Sequence, residues 1–202
     1  MTYKLIYDAK ESLEVFKQAL SQVQDRLIMV CPWLQKYVID EDIVEKIENL
    51  LNSGVRIDIG YGYNLDFSNL PSNLSETEFY DLIQNPKKRY TGLQDIYTFE
   101  VEYKKYFKLK LIGTHEKYLV CDNKFAMIGS HNFLSSKSQV KEIGIYTTDN
   151  EIIQELIEHY DNTPVIITRE KTCHEYWIED CLDEFNSAMS DYYSNYFYDT
   201  DY

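Results

Sequence analysis

No other stretch of this sequence limits the fold as tightly as His115 to Asn132, HEKYLVCDNKFAMIGSHN, in which two apolar runs flank a polar triplet. Tyr118 to Cys121 and Phe125 to Ile128 each suit a buried strand. Asp122-Asn123-Lys124 between them supplies turn chemistry, because Asp and Asn tolerate left-handed backbone. The pattern predicts a β-hairpin. A loop at Asn123-Lys124 would set His115 opposite Asn132 and Lys117 opposite Ser130, and a loop at Asp122-Asn123 would set His115 opposite Ser130. Either register gathers His115, Lys117, Ser130 and Asn132 at the open end, with His115 and Lys117 on one face because they are two apart. An imidazole, a fixed cation, a hydroxyl and an amide are the groups an anionic phosphodiester requires around it. Asp122 lies a strand's length away, roughly 23 Å at about 3.3 Å per residue, and is expected to form the turn.

Taken as a pattern, His115-x-Lys117-x4-Asp122-x6-Gly129-Ser130-x-Asn132 resembles the signature of the phospholipase D superfamily at every defining position. Ordinary amino-acid usage would produce six fixed residues at this spacing in about one chain in a hundred thousand. Strands and helices of the kind this fold uses extend the resemblance to residues 1 to 160. It implies an α/β fold with a mixed, mostly central β-sheet flanked by helices. It also implies phosphodiester cleavage without a metal or other cofactor: a neutral imidazole attacks phosphorus to form a phosphohistidine, a second histidine protonates the leaving oxygen, and water reverses the roles.

On this resemblance His115 is the nucleophile, Lys117 and Asn132 hold the nonbridging oxygens with Ser130 in support, and Asp122 and Gly129 are structural members of the motif. Glu142 matches by position the acidic residue that orients the histidine through its other ring nitrogen. Superfamily members with a single motif copy pair two chains. The remaining histidines, His131, His159 and His174, are not followed two later by lysine. The resemblance therefore implies a homodimer with one composite site on its twofold axis.

The rest of the chain suits such a fold. Asp8 is placed to cap a helix bearing Leu13, Phe16, Leu20 and Val23 on one face, ending near Asp25. Arg26 to Trp33 reads as a buried strand stopped by Pro32, Glu41 to Asn52 as an amphipathic helix closed by Gly54, and Val55 to Gly60 as a second strand. Together they predict a βαβ unit with parallel strands. Tyr61 to Ser75 is a polar, aromatic loop past the carboxyl end of that strand, where active-site loops of α/β proteins sit. A short helix from Glu76 to Ile83, a strand from Tyr106 to Ile112, a strand from Val140 to Thr147, a helix from Glu151 to Tyr160 and a final strand within Pro164 to Thr168 are expected. Residues 1–170 read as the catalytic domain. Residues 171–202 read as an amphipathic helix followed by an acidic, tyrosine-rich tail that suits docking on a partner protein, with disorder or occlusion of the chain's own basic segment as the alternatives.

Charge is distributed unevenly along this acidic chain, whose net charge is −14. Residues 87–141 carry 11 basic and 5 acidic groups, whereas residues 142–202 carry 2 and 15. The surplus of positive charge falls on the segment with the motif, as a polyanionic substrate would exploit. Lys87, Lys88 and Arg89, with Lys104 and Lys105, alternate with Tyr90, Tyr103 and Tyr106 and are expected to bind nucleic acid through backbone contacts and base stacking. Lys108 and Lys110 suit either that role or the solvated face of a strand. Four scattered cysteines without a CxxC pair read as reduced thiols, and no run of apolar residues is long enough to span a membrane, so a soluble cytoplasmic protein is expected. A DNA or RNA nuclease is the leading reading. A phospholipid-processing enzyme is the alternative, and an effector or interaction subunit of a larger nucleic-acid-processing or defence complex is the weaker third.

Overall fold

Alternation along the strands builds a sheet flanked by helices, with Leu5, Ile128 and Ile145 left exposed. The computed structural model describes residues 3–136 and 141–169, together with isolated helical positions at Glu184 and Ser187. Met1–Glu170 form one compact unit and Lys171–Tyr202 a second. The helix and acidic tail expected for 171–202, and with them any partner contact, lie outside the described residues, as do Cys173, Cys181 and His174.

In chain order the first unit runs β1 (Tyr3–Ile6), α1 (Ala9–Gln22), β2 (Arg26–Val30), α2 (Glu41–Asn52), β3 (Arg56–Tyr61), α3 (Asn64–Phe67), β4 (Asn73–Leu74), α4 (Glu76–Gln84), α5 (Phe99–Glu102), β5 (Phe107–Leu111), β6 (Tyr118–Cys121), β7 (Phe125–Gly129), β8 (Gly144–Thr147), α6 (Asn150–Asn162) and β9 (Thr168–Arg169). Seven strands form the main sheet in the order β1-β8-β7-β6-β2-β3-β5. β2, β3 and β5 are parallel neighbours, and the remaining pairs are antiparallel. The two short strands β4 and β9 pair separately. This is the mixed, helix-flanked sheet that the sequence predicts.

Period-two alternation within β2 divides the core. Leu27 and Met29 join Phe16 of α1 and Ile43 and Ile47 of α2 on one face, while Ile28 and Val30 join Ile153 and Tyr160 of α6 on the other. Helix starts follow the capping rules. Asp8 accepts the Glu11 amide, Asp40 accepts that of Ile43, and Ser75 with Glu78 forms a reciprocal capping box at α4. Gly54 ends α2 with φ +82°, a left-handed closure that costs little without a side chain.

Two features depart from the sequence reading. β1 is a short edge strand whose Tyr3 and Leu5 face outward, so its stretch lacks the apolar alternation that marks a strand. Lys110 belongs neither to a solvated face nor to a substrate surface. It is 6% exposed, and its ammonium donates to the carbonyls of Tyr160, Asp161 and Thr163, neutralising the open carboxyl end of α6. Nearby, the fully buried Asp58 is held between Arg26 at 2.7 Å and Arg56 at 2.9 Å, and Arg26 also binds Asp161 at 2.6 Å. These pairs fasten α6 to β2 and β3.

Candidate active site

The parallel strands β2, β3 and β5 deliver their carboxyl ends to one pole of the sheet, and the candidate site is assembled there. Trp33, Tyr63 and His115 each follow closely on one of these strands. β6 runs the other way and starts at the same pole, with Tyr118 paired to Val30, so Lys117 enters beside them. β7 returns to the pole and ends there at Gly129, whose amide donates to the Lys117 carbonyl at 3.0 Å.

The hairpin itself corrects the expected registers. Cys121 pairs with Phe125, leaving Asp122, Asn123 and Lys124 as a three-residue loop closed by the Lys124 amide on the Cys121 carbonyl. Lys117 therefore lies across from Gly129, midway between the two registers that two-residue loops would give. The extra loop residue has a physical reason. Asp122 takes φ +50°, and its carboxylate turns back to accept the backbone amides of Gln24, Asp25 and Arg26 at 3.0, 2.9 and 2.8 Å. Lys124 completes the clamp, 2.8 Å from Asp122. Burial opposes the charged form of Asp122, but Lys124 and the three amides outweigh it and hold the carboxyl below its ordinary range. Asp122 thus sits at the opposite pole from His115, as a structural residue.

Gly129 is fixed by a close strand contact. A Cβ there would stand 3.0 Å from both the Gly144 Cα and the Ile143 carbonyl of the neighbouring strand. Only a glycine lets β7 and β8 approach this closely where Ser130 leaves the sheet.

His115 is exposed, whereas Lys117 is 7% exposed. The Lys117 ammonium lies 3.0 Å from His115 Nδ1 and 2.5 Å from the His115 carbonyl. An ammonium can only donate, so Nδ1 accepts and the ring proton sits on Nε2. Loss of water around the ring, and then the Lys117 charge, lowers the His115 pKa below its ordinary value. Desolvation likewise lowers that of Lys117, partly opposed by the charge of Glu142. The imidazole is therefore neutral at neutral pH, next to a cation that no carboxylate contacts among the described residues.

Ser130 and Glu142 form a second pair. The Ser130 hydroxyl donates to Glu142 Oε2 at 2.5 Å and accepts the Ile143 amide at 3.1 Å. This revises the expectation for Glu142: within one chain it holds Ser130, and Lys117 occupies the ring nitrogen that Glu142 was expected to orient. Asn132 is half-buried, and its side-chain oxygen finds no hydrogen-bond donor among the described residues. His131 is 3% exposed and binds the Ser136 carbonyl, which makes it a loop anchor. His159 pairs with Glu116 at 3.0 Å. Glu116 stands between His115 and Lys117 in extended chain, so that pair lies on the other face.

The basic residues separate into two places. Lys88 binds Asp66 at 3.1 Å and Arg89 stacks over the Trp33 ring, both near His115, with the exposed Lys87 next to them in the chain. Lys104 and Lys105 precede the amino end of β5, at the pole away from His115, where Lys105 stands over the Tyr106 ring. Sequence reasoning missed Trp33 and Tyr63, whose rings lie 6.0 and 5.5 Å from that of His115. Their positions just beyond parallel strand ends were the available signal. Among the described residues no group of three or more His, Cys, Asp or Glu side chains is placed to hold a metal ion.

A central sheet thus gathers an imidazole, a lysine, a serine and an asparagine at one pole, groups suited to an anionic phosphodiester. The family profile described as "Cardiolipin synthase, PLD-like domain" matches residues 16–163, and the chain belongs to this phospholipase D-like family, part of a superfamily of phosphodiesterases. The fold is similar to that of NucT from Helicobacter pylori, with 17% identity, TM-score 0.50, and coverage of 80% of this chain and 96% of that one. It is also similar to that of Nuc from Salmonella typhimurium, a phospholipase D family member, with 13% identity, TM-score 0.52, and coverage of 80% and 93%. Phosphatidylserine synthase from Haemophilus influenzae matches with 16% identity and TM-score 0.55, covering 95% of this chain and 46% of that one. No curated protein sequence matches the chain.

Proposed function

We propose that this protein is a metal-independent nuclease that cleaves DNA or RNA through a phosphohistidine on His115, in a site completed by a second copy of the chain. The observation that carries this reading is the Lys117 ammonium 3.0 Å from an exposed His115, within the segment that holds the chain's positive surplus. A bound phosphodiester offers Lys117 a stronger acceptor than the imidazole nitrogen. Lys117 and the Asn132 amide then take the nonbridging oxygens, and the freed ring can carry its proton on Nδ1 and attack through Nε2. Attack forms the N–P bond as the P–O bond to the leaving alkoxide breaks. The second histidine supplies that oxygen's proton, and water later cleaves the N–P bond.

The dimer follows from the need for that second histidine. His131 is buried and His159 faces away, so among the described residues His115 has no partner histidine in its own chain. A twofold axis through the site would bring His115 of a second copy to the leaving oxygen.

The family profile's description and the likeness to phosphatidylserine synthase favour a second reading, turnover of lipid phosphodiesters. No helix among the described residues is long and apolar enough to cross a membrane. The two readings separate when full-length protein is incubated with labelled single- and double-stranded DNA, RNA and phosphatidylcholine vesicles, each with and without EDTA. Nucleic-acid cleavage that survives EDTA is the expected result. Loss in EDTA that magnesium restores would overturn the mechanism, and lipid turnover alone would replace the nuclease reading.

The pH profile adds a separate expectation. One His115 must be neutral to attack while its twin is protonated to donate, so the rate is bell-shaped, peaking on the acidic side of neutrality at about pH 5 to 7, a window that extends further below the ordinary histidine value than above it. Because desolvation and the Lys117 charge lower the His115 pKa, the profile is shifted towards acid. A rate still climbing at pH 9 would contradict a paired-histidine site.

A further inference from the structure

Beside His115 stands a platform of planar groups that the cleavage chemistry does not use. Trp33 and Tyr63 are half-buried, with ring centroids 5.3 Å apart, and each approaches the His115 ring. The exposed Arg89 places its guanidinium 5.0 Å from the Trp33 centroid and has no carboxylate partner among the described residues. We propose that Trp33, Tyr63 and Arg89 form a stacking seat for an unpaired nucleobase next to the scissile phosphate, so that the enzyme selects single-stranded nucleic acid. This rests on the nuclease reading above and adds the substrate class.

The platform is built to hold its shape. Asp66 Oδ2 accepts the Trp33 indole N–H at 3.1 Å and the Tyr90 hydroxyl at 2.9 Å, while Oδ1 takes Lys88 at 3.1 Å. Tyr90 in turn accepts the Tyr63 amide at 2.9 Å. One carboxylate therefore fixes the tryptophan directly and, through Tyr90, the backbone of the tyrosine, and it pins both neighbours of Arg89. Arg89 itself sits at φ +62°, a conformation unfavourable for a side-chain-bearing residue, with its carbonyl held by the Leu34 amide at 3.0 Å. That strained backbone carries the guanidinium over the indole.

Chemistry selects the occupant. Rings and a guanidinium plane offer π-faces to any base, but bases inside a duplex have theirs covered, so only an unpaired or extruded base can use the seat. A cationic lipid headgroup would favour an open aromatic face, and here Arg89 already occupies one with positive charge. An anionic chain with bases attached satisfies both the cation and the rings.

The test measures kcat and KM of the full-length protein on a labelled single-stranded oligonucleotide, its duplex, and a single strand of abasic units. Wild type, Trp33→Leu, Trp33→Phe, Tyr63→Leu and Arg89→Ala are compared, with circular dichroism to confirm folding. Wild type should favour the single strand over the duplex at least about tenfold. Trp33→Leu should raise KM on the base-bearing strand about 5- to 100-fold, and Trp33→Phe should restore most of it. On the abasic strand wild type should already be weakened by a similar factor, with no further loss from Trp33→Leu. If Trp33→Leu misfolds, the surface variant Arg89→Ala must show the same strand-dependent KM effect. Equal cleavage of single strand and duplex, or Trp33→Leu losses that persist on the abasic strand, would overturn the seat while leaving the nuclease reading intact. Failure of wild type to cleave any nucleic acid, with or without hydrolysis of phosphatidylcholine vesicles, would overturn both.

Discussion

On the proposed shared site, a mixture in which half of the chains carry His115→Ala and pair at random should retain about one quarter of the all-wild-type activity. The His115→Ala homodimer itself should lose at least about 10⁴-fold, because both the nucleophile and the acid are gone. In a mixed dimer one of the two roles is still missing, so only wild-type homodimers cleave, and activity follows the square of the wild-type fraction. Sites complete in each chain would leave about one half instead. Co-expressing the chains with different tags and quantifying each species prevents slow subunit exchange from hiding the effect, and sedimentation must show that the variant still dimerises. A linear fall with mutant fraction, or a fully active monomer, would remove the shared site. The second proton-transfer group would then have to come from the same chain, and Glu142, held on Ser130, is the first candidate.

The βαβ unit and the hairpin were legible in the sequence because their signals are local. Glu41 to Asn52 repeats apolar residues at helical spacing behind an Asp cap, and the helix is observed over those same residues. The hairpin's register was less legible. Its loop length depends on Asp122 reaching the amides of residues 24 to 26, a contact almost a hundred residues away in sequence that no local turn rule includes. Lys110 was misread for the same reason, since its alternation with Lys108 is that of an ordinary exposed strand face and only the docking of α6 converts it into a buried cap.

The candidate set was readable because His115, Lys117, Ser130 and Asn132 lie close in the chain and one hairpin gathers them. Its surroundings were not. Trp33, Tyr63 and Arg89 arrive from three separate connections, and their meeting depends on the order in which β2, β3 and β5 pair. Lys104 and Lys105 show the converse: they are near the motif in sequence yet at the other pole, because β5 runs its length between them and His115. Charge counted along the chain locates the basic segment without saying which of its cations face the candidate site.

Asp122→Ala should destabilise the fold by about 3 kcal/mol at neutral pH while leaving the chemistry of the folded enzyme within about twofold. The substitution strands three backbone amides at the start of β2 and leaves Lys124 without its carboxylate, and an alanine at φ +50° adds backbone strain. For a chain of this size the loss lowers Tm by about 6 to 12 °C. Asp122→Asn, which tolerates the left-handed backbone and keeps one acceptor but drops the charge, should fall between the two. The pH dependence has a definite sign. The folded-state pKa of Asp122 is depressed below 3.8, so its contribution is complete above about pH 4 and is lost as pH falls through the folded value. Wild type and Asp122→Ala should therefore differ most in melting temperature at pH 7 and converge towards pH 3. Equal melting temperatures at pH 7 would show that the clamp contributes nothing. A variant as stable as wild type but unable to cleave at 20 °C would place Asp122 in the chemistry, against its position at the far pole of the sheet.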